Sequence, residues 1–157
     1  DGLSVKVGRQ VITMDGHRFV GHVGWRNDKQ TFDGISATYA ASEKLKLSGA
    51  YITKRNRIFA EAKDLDAEDH LINASYKSAI GKFTAYSYML EVEDSDNPID
   101  TYGLRYAGKT GDFGYTAEFA TQTQEMPSGV EYDTDYISLE ATAALSGFNF
   151  KLGYELL

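Results

Sequence analysis

The chain has 157 residues, with 15 Gly, 2 Pro and no Cys, and its 16 basic against 23 acidic side chains leave a net charge of -7. That composition excludes a disulfide-stapled domain, a thiolate metal site, a collagen-like or low-complexity chain, and a surface whose field attracts nucleic-acid phosphates. No apolar run reaches the roughly 18 residues that a helical membrane span needs, and the opening DGLSVKVGRQ does not read as a signal peptide.

Aromatic residues make up 13% of the chain, supplied almost entirely by 11 Tyr and 8 Phe. These side chains pack well on pleated surfaces, while the glycines weaken helix interiors, so the expectation is an all-β chain forming a single domain over 1–157.

Taken in chain order, the hydrophobic pattern has period two. Leu3, Val5 and Val7 oppose Ser4, Lys6 and Gly8, and a strand of low contrast follows near residues 31–41. Leu45, Leu47 and Tyr51 oppose Lys46, Ser48 and Lys54. Ile72, Ala74 and Tyr76 oppose Asn73, Ser75 and Lys77. Tyr86, Tyr88, Leu90 and Val92 form an apolar row against Ala85, Ser87, Met89 and Glu91. Tyr102, Leu104 and Tyr106 oppose Gly103 and Arg105. Phe113, Tyr115, Ala117 and Phe119 oppose Gly114, Thr116, Glu118 and Gln122. Ile137, Leu139, Ala141, Ala143 and Leu145 oppose Ser138, Glu140 and Thr142, and finally Phe148, Phe150, Leu152, Tyr154 and Leu156 oppose Asn149, Lys151, Gly153 and Glu155. The pattern predicts nine strands.

The joins alternate in length. Tight ones at Ser42–Lys44, Ala79–Lys82, Gly108–Asp112 and Ser146–Gly147 are separated by long polar ones at Gln10–Gln30, Arg55–Asp69, Glu93–Asp100 and Thr123–Asp135. A soluble sandwich has no reason to alternate strictly, whereas outer-membrane barrels put short turns on the periplasmic side and long loops outside. The predicted fold is therefore an antiparallel up-and-down transmembrane β-barrel wall, with the apolar row toward lipid.

Charge supports that orientation. The apolar row of the last four strands carries no charge across its middle, where a lipid-facing Lys or Arg would cost roughly 2–4 kcal/mol. Tyr102, Phe113, Tyr136, Phe148 and Tyr154 lie near strand ends, as interfacial girdles do. The opposite row then lines a wet lumen with Lys6, Lys46, Lys54, Lys77, Arg105 and Lys151 against Glu91, Glu118, Glu140 and Glu155, with Gly103, Gly114 and Gly153 leaving room beside them. On this reading, replacing Arg105 by Glu alters ion selectivity with little loss of stability, while Leu152→Arg impairs folding into lipid.

Nine is odd, and bacterial single-chain barrels have even strand numbers, so the chain reads as a segment of about eight or nine strands of a larger barrel. The alternative is a complete eight-stranded ligand-binding barrel, with Phe150 and Leu152 lining its pocket.

The stretch GRQVITMDGHRFVGHVGWRNDKQTFDG, Gly8 to Gly34, resembles the alginate-export porin family of Gram-negative outer membranes, and Asn56-Arg57-Ile58-Phe59 is similar to a second element of it. The resemblance implies a monomeric barrel of about eighteen strands, of which this chain supplies roughly half, with an arginine-rich lumen passing an anionic polysaccharide or related solutes. It also implies that Arg9, Arg18, Arg26 and Arg57 sit at or above the pore facing anionic groups, a task that the guanidinium's permanent charge and bidentate fork suit. The four lumenal glutamates depart from that pattern.

The remaining constellations carry less. His17 and His22 with Asp15 match no standard metal-ligand spacing. More than half of the 23 acids fall in three long connections, without the grammar of an EF-hand. Trp25 beside Arg26 offers a stacking face for a sugar ring or packs the loop on the barrel rim. Neither a nucleophile elbow nor an HExxH element is present. The resulting expectation is a Gram-negative outer-membrane porin and not an enzyme, without cofactor or metal. Arg9, Arg18, Arg26, Arg57, Lys77, Arg105, Glu118, Glu140 and Lys151 contact small polar or anionic solutes. Its partners are outer-membrane lipid, lipopolysaccharide and further segments of the same barrel, with nucleic acid excluded.

Overall fold

The structure is a computed structural model that describes residues 2–59, 61–95 and 97–157. Among the described residues, nine strands form one sheet in chain order, each antiparallel to the next. They are β1 (Leu3–Gln10), β2 (Thr31–Ala40), β3 (Leu45–Asn56), β4 (Leu65–Ser78), β5 (Gly81–Leu90), β6 (Ile99–Thr110), β7 (Phe113–Glu125), β8 (Glu131–Leu145) and β9 (Phe148–Leu156). A 3-10 turn at Glu61–Lys63 precedes β4.

The tight turns follow local chemistry. Ser42 Oγ accepts from the backbone N–H groups of Lys44 and Leu45 at 3.2 and 3.0 Å, closing the β2–β3 turn. Ser146 and Gly147 both have positive φ, 50° and 83°, as a two-residue hairpin turn matched to strand twist requires. At the other end, connections run over 11–30, 57–64, 91–98 and 126–130. The last is only a short cap, because β7 and β8 continue pairing as far as Glu125 and Glu131. Residues read as loop from their polarity are strand there, since a hairpin rising into water has no apolar row to announce it.

One face is apolar and open. Leu3, Val5, Val7, Ile35, Leu47, Ile72, Leu104, Phe119, Leu139, Phe150, Leu152 and Tyr154 are all exposed on it. A face of this extent has no place in water and is the lipid face of a barrel wall. Aromatics ring its short-turn end, where Tyr76, Phe83 and Tyr106 stand side by side in register, with Phe83 and Tyr106 stacked at 4.7 Å. Leu152 is 76% exposed, which excludes the pocket-lining role that an eight-stranded binding barrel would give it.

The buried residues lie on the opposite, inner face. Phe32, Ile52, Leu71, Tyr86, Tyr88, Ala120 and Tyr136 form a cluster with Ile12 and Val20 of the first long connection. Three sequence expectations are corrected here. Tyr86, Tyr88 and Leu90 point inward, because the β4–β5 turn sets Tyr86 opposite the inward Asn73 and Phe83 opposite the outward Tyr76. Phe83, Ala85, Ser87 and Met89 are the outward row of β5, and Glu91 lies past the strand end. Tyr136 is buried inside and takes no part in a girdle. Lys54 leaves the inner row, because a bulge between Ile52 and Lys54 shifts the register and pairs it with Asp33 and Asp66.

Candidate functional site: the inner wall and its folded-in connection

The connection at 11–30 lies against the inner wall instead of extending from the barrel mouth. Its apolar residues Ile12 and Val20 are buried, and Phe19 meets Tyr136 edge-on at 5.5 Å and Tyr86 at 6.0 Å. Internal bonds keep it compact: Met14 N–H donates to Val20 O at 3.1 Å, and Gln30 N–H to His22 O at 3.0 Å. Positive φ at Asp15 and His17 turns the chain sharply where it meets the wall.

Asp15 anchors that turn. Its Oδ2 accepts from Asn73 Nδ2 at 2.8 Å and from the Tyr88 hydroxyl at 3.1 Å. Asn73 and Tyr88 are also bonded to each other at 3.0 Å, so the carboxylate closes a triangle with two buried side chains from adjacent strands. Tyr88 stacks on Tyr86 with ring centres 4.7 Å apart.

Several charged side chains on this face are paired. Arg105 Nε lies 3.2 Å from Glu118 Oε2, both largely buried. Lys151 Nζ lies 2.5 Å from Glu140 Oε2, and Arg18 Nη1 lies 3.7 Å from Glu155 Oε1. Arg18 also places its guanidinium over the Tyr136 ring at 5.2 Å. Arg55 grips Asp69 with two bonds, Nε to Oδ2 at 2.8 Å and Nη2 to Oδ1, and the Glu91 amide adds a third at 3.1 Å. Paired charges on a wetted wall keep their fields local, and the residual field depends on geometry more than on count.

The sequence-predicted site residues fall into three groups. Arg18, Arg105, Glu118, Glu140 and Lys151 come together around one recess of about 630 Å³ on the inner wall. Arg26 lies over the ring of the exposed Trp25 at 4.3 Å, Arg57 lies over Phe59 at 5.2 Å, and Lys77 is exposed beside a short turn. Arg9 departs from the lumenal role. It shares the outward row with Val5 and Val7, and its guanidinium makes two 2.9 Å bonds to Asp33. Gly103 leaves no room beside the charges either, because the Tyr86 ring lies over it.

Asp15, Asn73, Tyr86, Tyr88 and the Arg55–Asp69 pair are site residues that the sequence reading missed. A signal existed for the tyrosines: in a tight β4–β5 hairpin, an outward Tyr76 forces Tyr86 inward. Among the described residues, no group of three or more His, Asp or Glu side chains is disposed to hold a metal ion.

Comparison with known proteins places this geometry. The family described as alginate export matches residues 1–156. Crystal structures of the outer-membrane protein OpdK (OccK1) from Pseudomonas aeruginosa superpose with TM-scores of 0.74 and 0.75 at 15% identity, covering 99% of this chain and 44% of theirs. One of them contains vanillate. OccAB4 of Acinetobacter baumannii gives 0.71 at 17% identity, covering 99% of this chain and 41% of its own. The chain thus spans under half the length of these structures, and the likeness is one of fold. No curated protein matches it.

Proposed function

The chain belongs to the alginate export family, and from that premise we propose that it forms part of the wall of an outer-membrane channel passing small polar or anionic solutes. The observation that carries this is the inward-folded connection at 11–30, held by Asp15 on Asn73 and Tyr88. It narrows the space in front of a charged, hydrated wall while the other face is left to lipid. Such a wall conducts passively, with selectivity set by lining charge and aperture, and no bond is made or broken.

Arg18, Glu140 and Lys151 are the residues a passing solute meets at the recess, with the nearly buried Arg105–Glu118 pair as its floor. Arg26 and Arg57 serve the long-loop approach and Lys77 the opposite mouth. A narrowed aperture favours small anions over a wide polymer, in line with the vanillate held in one OpdK structure. Lipopolysaccharide contacts the outward face at the long-loop end.

The test is conductance of the full-length protein in planar bilayers. Discrete steps with a reversal potential that shifts in a KCl gradient support the channel. A protein that inserts, shows heat-modifiable migration and yet carries no current overturns it.

A further inference from the structure

Two adjoining hollows break the lipid face. The first, of about 510 Å³, runs between two register rows that cross β4 to β8, with Ala74, Ala85 and Ala117 as its floor and Phe83, Leu104 and Phe119 among its walls. The second, of about 560 Å³, lies on β7 to β9, with Ala141 on its floor beside Tyr115 and Leu152. Ala117 and Leu139 line both.

The lean of two tyrosines creates these spaces. The Tyr115 ring lies over Gly108, its register partner on β6, and so turns away from β8 and leaves Ala141 exposed. Tyr106 leans the same way, toward β5, where it stacks on Phe83 and donates its hydroxyl to Ile80 O at 2.7 Å, and Ala117 is uncovered behind it.

Both hollows open on hydrocarbon, because the face they break is the one left to lipid, and a gap there forfeits dispersion contacts. The first spans four strand spacings, about 19 Å in all, and runs obliquely in the membrane because barrel strands tilt by roughly 40°. One leaflet contributes about 15 Å of hydrocarbon, so an extended acyl chain lies along this floor, and the neighbouring hollow takes a second chain. Two residues from Ala117, the hydroxyls of Tyr115 and Thr110 lie 3.4 Å apart. A bond between them uses one of their two protons, and the other is left for an ester or phosphate oxygen. That pair stands beside the turn between β6 and β7, at the short-turn end that barrels keep on the periplasmic side.

We propose that the paired hollows hold one diacyl phospholipid of the periplasmic leaflet, with a chain in each hollow and its ester or phosphate oxygens at Tyr115 and Thr110. The site depends on the lipid-face assignment and not on which solute the channel passes.

The test is native mass spectrometry of the full-length protein, folded in lipid-free detergent and titrated with dipalmitoyl phosphatidylethanolamine, with its one-chain lyso form, or with lipid A as competitor. One molecule of the two-chain lipid should bind, at about tenfold lower concentration than the lyso form. Ala117→Phe fills the floor common to both hollows and should weaken that binding at least about tenfold. Ala141→Leu fills the second hollow alone and should bring the two-chain lipid down to the level of the lyso form. Val5→Phe, on β1 of the same face, should change nothing, and heat-modifiable migration checks that each variant is folded. Absence of a one-to-one complex, equal binding of the two-chain and lyso forms, or unchanged binding in either folded alanine variant overturns the site. So does displacement of the phospholipid by lipid A, or a protein dimer that forms in place of the lipid complex.

Discussion

Tyr86 on β5 reaches across the whole of β6 to donate its hydroxyl to Glu118 on β7 at 2.7 Å. The crossing is possible because the intervening residue in register is Gly103, over which the ring lies. One side chain thereby ties three strands, and it satisfies a carboxylate that also carries Arg105.

Removing only the hydroxyl separates that bond from the packing. Tyr86→Phe should cost about 1.5–3 kcal/mol, the range for a hydrogen bond to a charged partner. Gly103→Val puts a side chain where the ring lies and should cost a comparable ~1–3 kcal/mol through overpacking. Denaturant unfolding from lipid vesicles measures both. If Gly103→Val is neutral, the ring does not lie where the structure puts it.

Arg105→Glu is where the sequence reading and the structure part. Period-two alternation puts Arg105 on a wet wall, where a charge reversal would change selectivity at little cost. In the structure its partner Glu118 is nearly buried, so the substitution sets two carboxylates against each other in a place with little water. Stripping one partner from a buried pair costs about 3–5 kcal/mol. Arg105→Glu should therefore lower the unfolding midpoint strongly, with Glu118→Gln in the same molecule recovering much of the loss.

The same contrast shows how far the sequence is legible. Strand number, order and the outward rows of β1, β4 and β6 to β9 follow from alternation, because the lipid face favours apolar side chains across its middle. Alternation cannot say which of two apolar rows faces lipid, and β5 has two, Phe83 with Met89 and Tyr86 with Tyr88. The β4–β5 turn decides, by setting Tyr86 opposite Asn73, and the inward-folded connection, with Ile12, Phe19 and Val20, supplies the apolar environment that the inward tyrosines meet. A 20-residue connection gives no sign that Ile12 and Val20 will be buried and Phe19 partly so. Lys54 was hidden by a different cause, since a bulge changes parity without leaving a mark in composition.

Leu152 and Lys151 are chain neighbours on opposite faces of β9, so they compare lipid and lumen directly. Leu152→Arg places a charge on the open apolar face and should cost roughly 2–4 kcal/mol if that position is near the bilayer middle. Lys151→Met removes an exposed pairing with Glu140 and should fold almost as the wild type does, since solvent-accessible pairs contribute about 0–1 kcal/mol. Folding yield into vesicles, read by heat-modifiable migration, compares them. Similar yields for the two would contradict the face assignment.

Asp15 tests whether the connection sets the aperture. Its carboxylate takes two hydrogen bonds from the wall, and Asp15→Ala leaves Asn73 and Tyr88 to each other while freeing the turn. Ile12, Phe19 and Val20 still hold the segment by packing, so the barrel should fold, but the turn should sample positions away from the wall. Single-channel recording should then show a larger and noisier open current, with weaker discrimination between chloride and larger organic anions. Asp15→Asn retains one acceptor and should fall between the two. An unchanged current in Asp15→Ala, with normal folding, would mean that the narrowest part of the channel lies elsewhere on the wall.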